Sequence, residues 1–293
     1  MSAKRWIDET LHRGIRFAFE ADRILYESDT GHQHLVLFEN SRFGRVLMLD
    51  GATQVTTGDE FVYHEMMTHV PILAHGRVRR VLVVGGGDGG IAREALKHDV
   101  ERLVEVEIDH AVVDFSREHL PEVGAGAYDD PRMELIIADG MDYVATPGER
   151  FDVILVDSTD PQGPGAVLFS ERFYRAARDR LAPGGVMVTQ NGVPFLQPDE
   201  LVSTMAHFGR LFADASCYLA VIPTYIGGFM AMGWGSEDAG LRAVPPKVLR
   251  ERFAKARLDT RYYTPEVHVA AFALPRFVAA RVAQGLAAAG RSA

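Results

Sequence analysis

The sequence predicts an α/β protein built on a doubly wound parallel sheet, preceded by a small antiparallel β domain. From Val81 onward, short apolar runs typical of buried strands alternate with segments of helical period. Residues 85–90 read Gly-Gly-Gly-Asp-Gly-Gly between one such strand and a helix, which is the opening of a nucleotide-binding βαβ unit. Residues from about 15 to 60 instead show short strands joined by turns, with no helical period.

The first 60 residues are therefore expected to form the antiparallel domain, and residues 61–293 the main domain. The predicted strands of the first domain are Ile15–Glu20, His34–Glu39, Arg45–Leu49 and Gln54–Thr57. A helix is predicted next, over Glu60–Leu73, since its apolar residues recur at helical spacing.

The main domain is predicted to alternate strands and helices. The candidate strands are Val81–Val84, Leu103–Ile108, Glu134–Ala138, Asp152–Asp157, Val186–Gln190, Tyr218–Ile222 and Phe229–Trp234. The candidate helices are Gly90–His98, Ala111–Leu120, Ser170–Leu181, Pro198–Leu211 and Pro246–Ala256, and the Ala-rich stretch Leu274–Ala293 is expected to form a final packed helix.

Composition narrows the function classes. There are 31 Lys and Arg residues against 40 Asp and Glu residues, a formal net charge of −9, which disfavours nucleic acid as a partner and favours cationic ligands. No run of 18 apolar residues predicts a membrane span, and the N-terminus lacks the apolar run of a signal peptide. The single cysteine, Cys217, excludes an internal disulfide and is expected to be buried. We expect a cytoplasmic protein.

Asp88 makes the glycine turn informative. In a dinucleotide site this turn faces a pyrophosphate, which a carboxylate would repel, so an NAD-dependent oxidoreductase is disfavoured. A positively charged nucleoside, such as the sulfonium compound S-adenosylmethionine, would instead gain from Asp88. The alternative is that Asp88 only caps the following helix.

Carboxylates follow four successive predicted strands. Asp88 follows the first strand, Glu107 ends the second, Asp139-Gly140 follows the third, and Asp157-Ser158-Thr159-Asp160 ends the fourth. Ligands of such sheets bind beyond the carboxyl ends of the strands, and an acid near Glu107's position usually binds ribose hydroxyls. Each acid alone has the alternative of a capping or turn residue, but four in register predict one acid-rich rim.

Other chemistries find little support. His64 and His69 resemble the pair of a zinc-protease helix, but a five-residue spacing puts them roughly 140° apart around the helix. His32 and His34 alternate on a strand without a nearby cysteine, so we expect no metal site. Neither a G-x-S-x-G hydrolase turn nor a P-loop lysine is present.

Two loops are expected near the rim. Residues 161–169 hold two prolines and two glycines, which suits either a lid over the site or a simple crossover. Residues 222–228 (Ile-Pro-Thr-Tyr-Ile-Gly-Gly) break a second strand end and would bring Tyr225 to the same rim.

Nearly the whole chain resembles the spermidine synthase family of polyamine aminopropyltransferases, especially its bacterial members. The residues that carry this resemblance are Leu49-Asp50-Gly51, Asp59-Glu60-Phe61-x-Tyr63-His64-Glu65, the glycine turn, Val106-Glu107-Ile108-Asp109, Asp157-Ser158-Thr159-Asp160-Pro161 with Gly163-Pro164, and Ile222-Pro223-Thr224-Tyr225. The resemblance implies a Rossmann-like, methyltransferase-type domain after an N-terminal β domain, assembled as a homodimer or homotetramer. Gly58 departs from the family pattern, where a charged residue is common, but has no implied role.

The resemblance also implies a reaction. The family transfers an aminopropyl group from decarboxylated S-adenosylmethionine, a co-substrate, to putrescine, so no cofactor or metal is expected. The residues implied to bind this sulfonium nucleoside are Gln33, Gln54, Asp88 (at the ammonium), Glu107 (at the ribose), Asp139 (at the adenine), Gly140 and Pro164. The residues implied to bind the small-molecule amine are Tyr63, His64, Asp88, Asp157, Ser158, Thr159, Asp160 and Tyr225, with Asp157 as the general base.

Several alternatives stay open at this point. The acceptor could be another amine, such as cadaverine, agmatine or spermidine, because pocket depth is not visible in a sequence. An S-adenosylmethionine-dependent methyltransferase would explain the glycine turn and Glu107 but leaves Asp157 and Asp160 without a purpose. A catalytically silent polyamine-binding protein is disfavoured because Asp157, Tyr63 and Tyr225 are all present.

Overall fold

A computed structural model describes residues 5–29, 34–159 and 163–291 of the chain. Its strands are β1 Arg5–Glu9, β2 Phe17–Ala21, β3 Arg23–Asp29, β4 His34–Asn40, β5 Gly44–Leu49, β6 Ala52–Thr56, β7 Arg80–Gly85, β8 Arg102–Glu107, β9 Met133–Ile137, β10 Phe151–Asp157, β11 Leu181–Gln190, β12 Asp214–Ala220 and β13 Met230–Ser236. Its α-helices are α1 Glu60–His75, α2 Gly90–Leu96, α3 His110–His119, α4 Pro121–Gly124, α5 Gly140–Ala145, α6 Glu171–Asp179, α7 Pro198–Leu211, α8 Pro246–Ala256, α9 Pro265–Ala271 and α10 Arg276–Ala288, and short 3-10 helices cover Ala127–Asp129 and Gly163–Phe169.

The N-terminal residues form two small antiparallel sheets. Strands β1 and β2 pair with each other, and β3 to β6 pair in chain order. Strands β1 and β3 are not among the predicted strands, because their charged residues hide the alternation of apolar side chains. A separate small core lies in this region, with Phe19, Phe38 and Met48 fully buried.

The main sheet has seven strands in the order β12-β13-β11-β10-β7-β8-β9. Strands β11, β10, β7, β8 and β9 are parallel neighbours, with helices between them in the chain. The predicted fold class, a doubly wound α/β sheet after a small antiparallel β region, is therefore confirmed.

The final strand is an exception to the predicted parallel sheet. β13 runs antiparallel to both β11 and β12. Only residues 221–229, which contain no helix, separate β12 from β13. A parallel return needs a crossover of roughly a dozen residues or more, so this connection permits only a hairpin.

Alternate residues of the central strands pack on opposite faces of the sheet. Val81 and Val83 contribute to the core beneath α1 and α2, whereas Leu82 and Val84 contribute to the core beneath α5, α6 and α7. All four side chains are essentially unexposed, as expected for a parallel sheet covered by helices on both sides. Cys217 is also buried, as predicted.

The predicted helices Pro198–Leu211 and Pro246–Ala256 are confirmed at both ends. Helices α5 and α9 are not predicted from the sequence, since each is a short element of six or seven residues. No single helix among the described residues is long and apolar enough to cross a membrane. Helices α9 and α10 meet that criterion only if they are taken together across a bend of 61°.

Candidate active site

The glycine turn after β7 brings two strands unusually close together. Gly85 has φ +84°, and a Cβ built on it would lie 1.9 Å from the carbonyl oxygen of Asp157. Gly85 is also the register partner of Asp157 in the pairing of β7 with β10. Only glycine permits this approach, which puts the turn that holds Asp88 beside the end of the strand that holds Asp157.

Asp88 has a local bond and a long-range contact. Its Oδ1 accepts a hydrogen bond from Gly90 N at 2.8 Å, and its Oδ2 lies 3.4 Å from His64 Nε2. The N-cap residue of α2 is Gly89, not Asp88. The bond to Gly90 N therefore accounts for one carboxylate oxygen only, and the other contacts His64.

His64 lies between two carboxylates. Its Nδ1 is 2.6 Å from Glu60 Oε2, one helical turn earlier, and its side chain is only 3% exposed. Burial alone would lower the pKa of His64, but Asp88 and Glu60 together raise that pKa to about 10. The imidazole is accordingly cationic at neutral pH. Burial would raise the pKa of Asp88, but the charge and hydrogen bond of His64 lower it.

Arg93 fixes the outer carboxylate of this group. Its guanidinium bonds both oxygens of Glu60, with NH2 at 2.8 Å and NH1 at 3.2 Å, and donates to Val123 O at 2.6 Å. Helices α1 and α2 are thus joined by a buried chain of charges that begins at Asp88. This chain of charges is not among the sequence predictions, although the i, i+4 spacing of Glu60 and His64 is a usable signal for its first contact.

Asp157 and two tyrosines form the second part of the rim. Tyr63 donates a hydrogen bond of 2.6 Å to Asp157 Oδ1, and its ring meets that of Tyr225 edge to face at 6.2 Å. The Tyr225 hydroxyl in turn donates to Gln54 O at 2.6 Å. Burial and the nearby charge of Asp88 raise the pKa of Asp157 to about 6, in spite of the Tyr63 hydrogen bond.

Glu107 ends β8, and Asp139 follows the neighbouring strand β9, as predicted. Glu107 Oε1 accepts from Asp109 N at 3.0 Å, and burial raises the pKa of its carboxyl. Asp139 Oδ1 accepts from Met141 N at 2.7 Å, so it also caps α5, which begins at Gly140. The capping alternative for Asp139 therefore holds: its carboxylate caps α5.

The remaining predicted residues are distributed as follows. Ser158 and Thr159 follow β10, and Ser158 O accepts a hydrogen bond from Gln190. Pro164 lies in the 3-10 helix Gly163–Phe169, which covers most of the predicted lid or crossover, residues 161–169. Gln33 and Asp160 lie outside the described residues, so the structure says nothing of them.

One buried acid beneath the rim was not predicted. Glu105 lies two residues before Glu107 on β8, is 0% exposed, and accepts a hydrogen bond from Tyr128. Burial, with Asp88 and Glu107 nearby, raises the pKa of its carboxyl well above the usual value. A glutamate within a strand carries no sequence signal for such a raised pKa.

His64 and His69 of α1 have separate partners. His64 contacts Glu60 and Asp88, whereas His69 lies 2.9 Å from both His98 Nε2 and Glu94 Oε2. In the part of the chain that the structure describes, no three His, Cys, Asp or Glu side chains are grouped so that they could hold a metal ion.

A half-buried carboxylate, an aromatic wall and a second acid at the turn suit a site where a cationic ligand is held and deprotonated. The fold and this rim define the chain as an enzyme of the Rossmann-like, methyltransferase-type α/β class. Residues 60–243 match the family described as spermine/spermidine synthase domain, and residues 5–57 match the family described as spermidine synthase tetramerisation domain. The chain belongs to the spermidine synthase family of polyamine aminopropyltransferases.

Relatives and solved structures agree over nearly the full length. Polyamine aminopropyltransferase 1 of Pseudomonas aeruginosa is 57% identical over 271 residues, which cover 92% of this chain and 95% of that protein. The polyamine aminopropyltransferase of Ruegeria sp. is 56% identical over 95% of this chain and 98% of its own. A spermidine synthase in complex with the transition state analogue AdoDATO superposes with a TM-score of 0.89 at 36% identity, covering 96% of this chain and 97% of that chain. The spermidine synthase of Thermotoga maritima superposes with a TM-score of 0.86 at 35% identity, over 96% of each chain.

Proposed function

We propose that this enzyme transfers the aminopropyl group of decarboxylated S-adenosylmethionine to putrescine, giving spermidine, 5'-methylthioadenosine and a proton. The observation that carries the proposal is the half-buried Asp157 carboxylate, which accepts from Tyr63 at the end of β10 and has its pKa raised to about 6. Such a carboxylate is ionised at neutral pH but is a stronger base than an ordinary aspartate.

The donor is proposed to lie along the rim from Asp88 to Asp139. Asp88 would face its aminopropyl ammonium, Glu107 its ribose hydroxyls, and Asp139 with Gly140 its adenine, while Gln33, Gln54 and Pro164 would line the same site. The AdoDATO complex of a similar spermidine synthase supports a ligand of this kind in this fold. No cofactor or metal takes part, because the sulfonium of the donor is itself the activated group.

The difficult step is activation of the acceptor amine. An alkylammonium with a pKa of about 10.4 is almost wholly protonated at pH 7, and removing that proton costs about 4.6 kcal/mol. Asp157 would take this proton first, which frees the electron pair with which the nitrogen attacks. Tyr63, His64, Ser158, Thr159, Asp160 and Tyr225 would hold the diamine in line with the reacting carbon.

The proposed step is a displacement at one methylene carbon. A bond forms between the amine nitrogen and this carbon as the carbon–sulfur bond breaks. The electron pair of the broken bond neutralises the sulfonium, so the leaving group is a neutral thioether that needs no general acid. The proton of the amine passes to Asp157 and then to solvent.

We propose that the protein assembles as a homo-oligomer, a dimer or a tetramer, which the tetramerisation-domain match over residues 5–57 supports. The division at residue 60 into an N-terminal β domain and a catalytic domain also stays a proposal. So does the cytoplasmic location expected from the sequence.

The reaction is tested by mass spectrometry of purified protein with decarboxylated S-adenosylmethionine and an equimolar panel of putrescine, cadaverine, agmatine and spermidine. The wild type is expected to form methylthioadenosine and spermidine, and Asp157→Asn to react at least about 100-fold more slowly. Asp152→Asn is the matched control: Asp152 lies on the same strand but bonds Arg79 N and Arg80 N instead of the rim, and this variant should stay active.

The other outcomes have distinct meanings. Aminopropylation of another amine would keep the mechanism and replace putrescine as the acceptor. Methyl transfer from intact S-adenosylmethionine would favour the methyltransferase alternative. Donor binding without any product would favour the silent polyamine-binding protein.

A further inference from the structure

Asp59 occupies the N-cap position of α1 but does not cap the helix. Aspartate at this position usually accepts a hydrogen bond from the backbone of the first helical turn. Here no such side-chain bond is made, although Asp59 is only 5% exposed. A buried carboxylate needs partners, so its hydrogen bonds must go elsewhere.

Those bonds join the end of β6 and the start of α1 to a loop that lies far along the chain. Asp59 Oδ1 accepts from the Thr56 hydroxyl of β6 at 2.6 Å. Its Oδ2 accepts from Thr224 N at 2.8 Å and from the Thr224 hydroxyl, also at 2.8 Å. Thr224, which lies 165 residues further along the chain, is itself only 1% exposed.

Thr224 precedes the tyrosine of the rim. Tyr225 meets Tyr63 edge to face, and its hydroxyl bonds Gln54 O of the same strand β6. The junction at Asp59 thus links the start of α1, which carries Tyr63, to Thr224, which precedes Tyr225. The loop 221–229 that carries Tyr225 has no regular structure, and Gly227 and Gly228 have φ values of +113° and +107°. Such a loop needs an external anchor to have one conformation.

We propose that Asp59 is a positioning residue for the amine site, which anchors the loop 221–229 so that Tyr225 faces Tyr63. The proposal rests on the proposed function, since it assigns these tyrosines to the acceptor amine. The carboxylate forgoes a local helix cap and instead makes charge-assisted bonds across the fold. Its charge has no direct part in the chemistry.

The test is Asp59→Asn in the full-length enzyme. Both oxygens of Asp59 accept hydrogen bonds, but an asparagine has an NH2 group in place of one of them. This NH2 group cannot accept the bond from Thr56 or Thr224, so the loop should lose its anchor. We expect the KM for putrescine to rise roughly tenfold, as for loss of a hydrogen bond to a charged group. The affinity for methylthioadenosine should stay within about twofold, and amide hydrogen exchange in residues 221–229 should become faster.

Asp214→Asn is the matched control. Asp214 begins the strand β12 at the outer edge of the sheet and is equally buried, at 5% exposure. Its carboxylate bonds Trp234 and Arg242. This variant is expected to lower thermal stability but to leave both the putrescine KM and the exchange of residues 221–229 unchanged. If it changes them as much as Asp59→Asn does, the effect is general loosening and the proposal is wrong.

Thr224→Val decides the question if Asp59→Asn fails to fold. It removes the hydroxyl bond, keeps the backbone bond, and should raise the putrescine KM by a few-fold and speed exchange in the loop. Unchanged KM and exchange in the folded variants would overturn the proposal. A wild type that makes no spermidine would instead contradict the proposed function, while the exchange measurement would still report whether Asp59 anchors the loop.

Discussion

Tyr63 and Asp157, separated by 94 residues, share a hydrogen bond of 2.6 Å at the rim of the central sheet. The tyrosine comes from the first turn of α1, and the aspartate ends β10. Burial raises the pKa of Tyr63 well above its usual value, so its hydroxyl stays protonated and can only donate to the carboxylate. The bond therefore opposes the effects of burial and of Asp88 on Asp157.

Removing this bond should shift the pH dependence of catalysis. Asp157 must be ionised to accept a proton, so kcat/KM is expected to rise with pH through about 6 in the wild type. In Tyr63→Phe the pKa of Asp157 rises further, because the hydrogen bond that favours the ionised form is lost. The acid limb of the pH profile should move to higher pH, with a rate loss of roughly tenfold or more at pH 6.

Tyr218→Phe is a suitable control for that profile. Tyr218 is as deeply buried as Tyr63, but its hydroxyl bonds Met66 O. Its loss should leave the acid limb in place. An acid limb that is the same in Tyr63→Phe and in the wild type would contradict the assignment of Asp157 as the titrating base.

Gly90 is predicted to be needed for the position of His64. A Cβ built on Gly90 would lie 2.2 Å from His64 Cε1, and the imidazole has no room to move because Glu60 and Asp88 hold it on both sides. Gly90→Ala should lower the free energy of unfolding by about 1–3 kcal/mol, as overpacking does. It should also weaken the binding of the nucleoside by at least about tenfold, because the displaced imidazole of His64 no longer contacts Asp88.

A double-mutant cycle separates the clash from other effects of the alanine. In a His64→Asn background the ring is absent, so Gly90→Ala should cost much less stability than it does in the wild type. Chemical denaturation of the four proteins measures this difference. Additive effects would mean that the two residues do not compete for the same space.

Glu105 should make stability fall as the pH rises. Its pKa is raised in the folded protein, so above the unfolded value the folded state binds one more proton than the unfolded state. The free energy of unfolding then falls by about 1.36 kcal/mol per pH unit, until the folded-state pKa is reached. Glu105→Gln removes this dependence, so the stability of the variant relative to the wild type should increase from about pH 5 upward.

Urea denaturation across that pH range measures the effect. Glu101→Gln, at an exposed glutamate on the surface, should change stability little at any pH. Parallel pH curves for the wild type and Glu105→Gln would show that Glu105 is ionised in the folded protein.

The sequence predicted best what depends on local order along the chain. Asp88, Glu107, Asp139 and Asp157 each follow a strand, and parallel strands deliver their carboxyl ends to one rim, so four local observations predicted one site. The reversed direction of β13 was also open to prediction, because residues 221–229 are too few for a crossover.

What the sequence did not reveal depends on packing between distant segments. Arg93 meets Glu60 only because α1 lies against α2, and no local pattern predicts that pairing. Asp59 would be assigned from sequence as an ordinary helix cap, whereas its partner Thr224 lies on a loop between the last two strands. Gln33 and Asp160, outside the described residues, remain predictions.

Asp88 is expected to select the decarboxylated nucleoside over intact S-adenosylmethionine. Arg93 neutralises Glu60, and the protonated His64 lies beside Asp88, so the group has no net charge and Asp88 is its negative end at the turn. This carboxylate attracts an ammonium and repels the carboxylate that only the intact nucleoside has there. In Asp88→Asn this negative end is lost. Affinity for the decarboxylated form should fall by roughly tenfold or more, and the ratio of the two affinities should shrink.

Titration calorimetry with both nucleosides tests this selection, with Glu107→Gln as the control. The ribose is common to the two ligands, so loss of the Glu107 charge should weaken both by a similar factor and leave their ratio near the wild-type value. Asp88→Asn should change the ratio because the ligands differ only in the group that Asp88 faces. Equal ratios in the wild type and Asp88→Asn would mean that discrimination arises elsewhere on the rim. They would contradict the assignment of Asp88 to the donor's ammonium.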